Sequence, residues 1–213
     1  MSVQNGNDKK SKTRSRFLEA ARRIFAQKGF QATNVSDIVS EVESGQGTFY
    51  YHFKDKQEIF DVLMLDFISR LAIAVTKTST AADGRYPLAL ANRELALENA
   101  RAFAAVFIEN MDLAEVYFRE SKFTGGAVAE AIERFYSLMY YHVEQGLEEG
   151  MQAGVVRENL DPFCAARCFV GAAERLIYDT IRSGREIKLD ELAEQIIDFQ
   201  SYGILKGAPE AKT

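Results

Sequence analysis

The sequence predicts an all-α protein, with a small N-terminal three-helix domain followed by a larger helical body. Three observations predict it. Proline occurs only at positions 87, 162 and 209, so long helices are barely interrupted. No stretch alternates apolar and polar residues between turn residues, as a strand requires. Apolar residues instead recur every three or four positions along most of the chain. At 213 residues and 47% hydrophobic content, the chain has ample apolar surface for a core. No apolar run approaches a membrane span, and the polar N-terminus lacks the apolar stretch of a signal peptide. Cys164 and Cys168 do not make a disulfide framework, so a reducing, cytoplasmic setting is expected.

Taken in order, residues 1–10 read as a disordered basic arm. A first helix covers residues 11–28, with Phe17, Ala20, Ala21, Ile24 and Phe25 on one face and Gly29 as a left-handed stop. Asn34 reads as the N-cap of a second helix over 35–42, with Asp37 in the capping-box position. A short third helix follows over 46–52, and a fourth runs from about 55 past Arg70. The segment 79–87, with Asp83-Gly84-Arg85, reads as a loop. Helices are then expected over 87–109 and 112–122, a break at Gly125-Gly126, and a further helix over 128–150. Asp161 followed by Pro162 starts another, which ends near Gly184. The last covers 189–205.

Charge is unevenly spread. Residues 1–36 carry a net +6, against −5 for the whole chain, which leaves −11 on the rest. A basic end on an acidic body suggests a contact face for a polyanion. The second and third helices with their turn read as a helix-turn-helix, whose second helix enters the major groove of DNA. Val35, Ile38, Val39, Phe49 and Phe53 can pack on the Phe17/Ala21/Phe25 face. That leaves Gln46, Thr48, Tyr50, Tyr51 and His52 free. A glutamine amide can bond adenine with two hydrogen bonds, and a threonine methyl can meet the thymine methyl. Tyrosine hydroxyls and Lys56 suit phosphates, as do helix N-termini at Thr33/Asn34 and near Lys56. By spacing alone Tyr50 can equally be a core residue with a satisfied hydroxyl.

The detail of residues 14–65 resembles the tetracycline-repressor (TetR) family of bacterial regulators. The resemblance is carried by Phe25-Ala26-Gln27-Lys28-Gly29-Phe30, by Ala32-Thr33-Asn34-Val35 and Asp37-Ile38, and by Gly47-Thr48-Phe49-Tyr50-Tyr51-His52-Phe53 with Lys56 following. It implies a DNA-binding domain over 11–55 and a ligand-binding and dimerisation domain over 56–207. It also implies that Gln46, Thr48, Tyr51 and His52, with Gly47 beside them, face the groove, while Thr33, Asn34, Tyr50 and Lys56 lie at phosphates. The family's Ala-Gly-Val-Ser turn is replaced here by Val42-Glu43-Ser44-Gly45. Glu43 then stands where a positive φ costs around 1 kcal/mol relative to glycine. A looser turn is expected, with a negative charge near the phosphates.

For the body, the resemblance implies a ligand pocket and a dimer interface, as a two-fold contact that spaces two recognition helices on a palindromic operator. Small residues of the last two long helices (Cys164, Ala165, Ala166, Cys168, Gly171, Ala172, Ala173), with Leu192, Ile196, Ile197 and Phe199, can form a four-helix interface. Packing within one chain is the competing account. The aromatics Phe67, Phe103, Phe107, Tyr117 and Phe135 and Met139 form the candidate lining of a pocket for an apolar or aromatic effector. Core packing explains such residues equally. Arg119, His142, Glu174 and Arg175 are candidate polar contacts in it.

An enzyme is not expected: there are two distant histidines, no Gly-x-Ser-x-Gly elbow and no phosphate-binding glycine loop. No cofactor or metal is expected, and Cys164 and Cys168, at i and i+4, read as buried small packing residues. The sequence therefore points to a dimeric, ligand-responsive, DNA-binding repressor with double-stranded operator DNA and a small molecule as partners. A helical ligand-binding or redox-sensing protein with weakened operator recognition is the alternative.

Overall fold

The computed structural model describes residues 2–79, 93–121, 124–186 and 188–204. These residues form α1 (Ser2–Lys28), α2 (Val35–Glu41), α3 (Gln46–His52), α4 (Lys56–Ser79), α5 (Arg93–Glu109), α6 (Met111–Glu120), α7 (Gly126–Gln152), α8 (Pro162–Arg182) and α9 (Leu189–Ile204), with no strand among them. The all-α expectation therefore holds. The predicted loop at Asp83-Gly84-Arg85, the helix start at Pro87 and the helix end at Leu205 lie outside the described residues. Among the described residues no helix is long and apolar enough to cross a membrane.

The helix ends follow the local signals. Gly29 has φ +86 and its N–H closes on Phe25 O at 2.9 Å. The Asp161 side chain accepts from Phe163 N at 3.0 Å, with proline next in the chain. α1 begins at Ser2 rather than at residue 11. Once a helix exists, each added residue gains one backbone bond, so it can extend through a segment with no apolar face.

The chain divides into two compact units, residues 1–67 with 111–131, and residues 68–110 with 132–213. In the first, α1 packs on α2 and on α6, and α2 on α3. Its core is aromatic. Phe17 and Phe49 meet edge to face at 5.5 Å, Phe25 and Phe60 at 5.8 Å, and Phe67 lies 5.7 Å from Tyr117. All six rings are buried. Each such burial contributes about 1.5–3 kcal/mol.

In the second unit α9 packs on α5 and α8. Ala96, Leu97, Ala193 and Ile197 form a buried cluster, with Ala100 and Phe169 against it. Arg93–Asp198 (3.0 Å) and Arg101–Asp190 (2.6 Å) tie α5 to α9 at the surface. The Gln200 amide donates to Phe169 O at 2.7 Å, tying α9 to α8.

Candidate nucleic-acid interface

The exposed face of α3 is set by its buried one. Phe49 and Phe53 are buried against Phe17 of α1, with Ile38 and Val39 of α2 buried in the same unit. Phe49 within α3 and Phe53, the extended residue that caps its C-terminal end, together fix the rotation of α3. Gln46, Gly47, Thr48, Tyr50 and Tyr51 are consequently exposed, Tyr50 at 55% and Tyr51 at 67%. The account of Tyr50 as a core residue therefore fails. His52 is half-buried. Burial, then Lys10 and Arg14, hold its pKa below the ordinary value.

Two cations join this face that the sequence did not place. Lys10 Nζ lies 4.8 Å from the centre of the Tyr51 ring, and the Arg14 guanidinium 4.9 Å from that of Phe53. Both sit on α1: Arg14 within the expected helix, and Lys10 at the end of the segment expected to be an arm.

The turn before α3 departs from expectation. Glu43 has φ +52, the left-handed conformation the sequence implies, and is the only non-glycine residue with positive φ among those described. Yet the turn is closed. Glu43 N–H bonds Ser40 O and Ser44 N–H bonds Val39 O, both at 3.1 Å, the paired bonds of a Schellman helix end. Arg16 adds a donor to Val42 O at 2.8 Å. A looser turn is thus not found, because the backbone bonds are indifferent to the side chain at position 43.

Two residues read as phosphate contacts are engaged inside the protein. Thr33 is fully buried and its hydroxyl donates to Gly29 O at 2.7 Å. Lys56 Nζ donates to the carbonyls of Phe30 (2.7 Å), Gln31 (3.3 Å) and Thr33 (2.7 Å), and stands 4.4 Å from the Phe30 ring centre. An ammonium has three protons, and all three are taken. Asn34 is exposed at the start of α2, but that helix end already holds a carboxylate. Asp37 Oδ2 accepts from Asn34 N at 2.9 Å. That bond, then Lys28, holds the Asp37 pKa below the ordinary value. Asp55 likewise accepts from Glu58 N at 2.9 Å at the start of α4.

The six pocket candidates are turned inward within their own units. Phe67, Phe107, Tyr117, Phe135 and Met139 are buried, and Phe103 is half-buried. Phe67 meets Tyr117 in the first unit, and Phe103 meets Phe107 (5.2 Å) and Phe135 (6.4 Å) in the second. Aromatic stripes at helical spacing serve cores as readily as pockets. Among the polar candidates, Arg119 donates to carbonyls of α1, and Arg175 pairs with Asp179 at 2.7 Å on the surface. The Glu174 carboxylate accepts from Tyr136 OH at 3.0 Å, and burial pushes its pKa up to about 7. Burial lowers that of His142.

A cavity of about 650 Å³ lies in the second unit, lined by Leu147, Leu160, Cys164, Cys168, Phe169, Phe199 and Gln200 among others. Both cysteines are exposed, against the buried packing expected of them. The reason is the helical repeat: Ala166, Val170, Ala173 and Ile177 form the inward stripe of α8, which turns positions 164 and 168 outward. Leu192, Ile196 and Ile197 are buried within the chain, whereas Phe199 is 75% exposed. The first three are thus spent on the chain's own core.

Residues 17–63 match the sequence profile of bacterial regulatory proteins of the tetR family. The chain is 27% identical over 91% of its length to an uncharacterized HTH-type transcriptional regulator, YdgC, of Bacillus subtilis, covering 93% of that protein. It is 24% identical over 88% of its length to a fatty acid metabolism regulator protein of the same organism, again covering 93% of it. Among solved structures, a tetR-family regulatory protein from Rhodococcus RHA1 superposes with a TM-score of 0.73 at 20% identity, over 89% of this chain and 95% of that one.

Proposed function

Because the chain belongs to the tetR family of bacterial regulatory proteins, we infer that it is a ligand-responsive, sequence-specific DNA-binding transcriptional regulator acting as a repressor. The observation that carries this reading is α3. Two buried phenylalanines anchor it, and four exposed positions around them carry amide, hydroxyl and phenol groups. In this reading Gln46 bonds an adenine edge, Thr48 meets a thymine methyl, and Tyr51 and His52 line the groove. Tyr50, Lys10 and Arg14 meet phosphates. Thr33 and Lys56 serve by holding the loop before α2, since their donors are used there.

The chain works as a cytoplasmic homodimer joined through α8 and α9. An exposed phenylalanine beside an apolar groove on the same face supports this, because a two-fold contact needs a self-complementary surface. Phe199 of one copy enters the groove of the other, and Cys164 and Cys168 become covered. Two copies then read a palindromic operator. The effector is an apolar or aromatic small molecule, a class in keeping with the named role of the fatty acid metabolism regulator. Its binding favours a state in which α4 has moved and the recognition helices are re-spaced. It shifts that equilibrium only by its differential affinity for the two states.

The test is selection of genomic fragments by the purified protein, followed by titrations at several salt concentrations. A palindromic site bound by two copies about 10³-fold or more above random DNA is the expected result. Weak, sequence-blind binding with the same salt slope on every duplex refutes the reading.

A further inference from the structure

We propose that Arg119 and Glu120, the last two residues of α6, are positioning residues for the DNA-reading face. They hold the end of α1 and the loop that leads into α2. The inference rests on the DNA-binding reading and extends the reading apparatus to a helix about seventy residues further along the chain.

The last carbonyls of a helix have no partner within it and carry the negative end of its dipole. In α1 the Arg119 guanidinium fills that place. It donates to Ala26 O at 3.2 Å and also to Phe25 O. Glu120 Oε1 accepts from Phe30 N at 3.1 Å and from Arg119 Nε at 3.2 Å, so the two side chains act as one body. Gly29 lies between them and the loop. A Cβ built there would meet Glu120 Oε1 at 3.3 Å, on a backbone of φ +86 that favours glycine in any case.

Phe30 is therefore held on both sides of its Cα. Glu120 takes its N–H, and Lys56 of α4 takes its C=O. Thr33 closes the loop from within. This loop sets where α2 begins, and α2 packs on α3. α1 meets α3 directly through Phe17. The orientation of Gln46, Thr48, Tyr50 and Tyr51 thus depends on a junction held by α6. Neither residue of α6 needs to touch DNA for this, and neither supplies a phosphate contact in it.

The experiment uses the full-length protein with the duplex recovered by selection and a random duplex of equal length. Arg119→Ala and Glu120→Ala are expected to weaken binding to the selected duplex by about tenfold or more, the scale of a lost charged hydrogen bond. Binding to the random duplex and the salt slope stay as in the parent, because no phosphate contact is lost. Glu120→Gln keeps an acceptor for Phe30 N–H and recovers most of the affinity. Equal weakening on both duplexes, as a smaller folded fraction produces, overturns the proposal, as does parental affinity in Glu120→Ala. Amide exchange in the free protein separates the proposal from the reading beneath it. Faster exchange at Phe30 in Glu120→Ala, but not in Glu120→Gln, supports the positioning role even if no operator is found. Unchanged exchange overturns it whatever DNA does.

Discussion

Replacing Glu43 by glycine is expected to make the protein more stable. Glu43 holds φ +52 in a turn whose two backbone bonds are both formed. A left-handed residue with a Cβ costs about 1–2 kcal/mol. Glycine removes that cost, but gives back about 0.4–1 kcal/mol through its greater freedom in the unfolded chain. The Glu43 carboxylate has no partner among the described residues, so no contact is lost. The net gain is about 0.5–1 kcal/mol, or roughly 1–4 °C in Tm for a chain of this size. Thermal unfolding measures it, with Glu43→Ala as control. Alanine removes the charge but keeps the Cβ, so it gains nothing in Tm. An alanine variant as stable as the glycine variant would refute the argument from backbone strain. The same pair reads the charge separately: both are expected to bind DNA more tightly than the parent if the carboxylate repels phosphates, and by the same factor.

Three further outcomes follow from the geometry. Lys56→Ala is expected to lose about 1–3 kcal/mol of stability by urea titration while leaving the salt slope of DNA binding unchanged; a slope reduced by about one would return Lys56 to a phosphate. The raised pKa of Glu174 means the folded chain holds a proton that the unfolded chain has released, so stability falls as pH rises from about 4.5 to about 7. Glu174→Gln should flatten that slope and gain at most about 3 kcal/mol at about pH 8, and denaturant midpoints across that range check it. Phe199→Ala should weaken self-association by about thirtyfold or more, the effect of removing an interface anchor; sedimentation of a variant with unchanged helicity decides it, and an undisturbed dimer places the interface elsewhere.

The features legible in sequence were those whose cause is local. Gly29, Asn34 with Asp37, and Asp161 with Pro162 mark helix ends because capping chemistry acts over three or four residues. The positive φ of Glu43 was implied by the resemblance, through the turn glycine that the family has at that place. The split of α3 into Phe49/Phe53 and an outward face followed from the helical repeat. What was not legible depended on partners distant in sequence. Lys56 carries the charge of a phosphate ligand, and only the fold shows three carbonyls in front of it. Arg119 reaches α1 across more than ninety residues, with no local signal. The cysteines lie in a stripe of small residues whose chemistry does not say which side faces inward; Ala166, Val170 and Ala173 settle that. The pocket candidates carry no signal of their own, because a buried phenylalanine looks the same in a core as in a cavity wall.

The division of labour on α3 bears on how such a protein can change. The residues that fix it, Phe49 and the C-cap Phe53, and its outward residues, Gln46, Thr48, Tyr50 and Tyr51, are separate sets within one short segment. Substitutions at exposed positions of this kind shift stability by no more than about 0.5 kcal/mol. A lineage can therefore rewrite the DNA sequence it answers to at almost no folding cost. Of the motif by which the helix is recognised, only the buried pair Phe49 and Phe53 would stay constant through every such change, and that pair would carry no information about the operator.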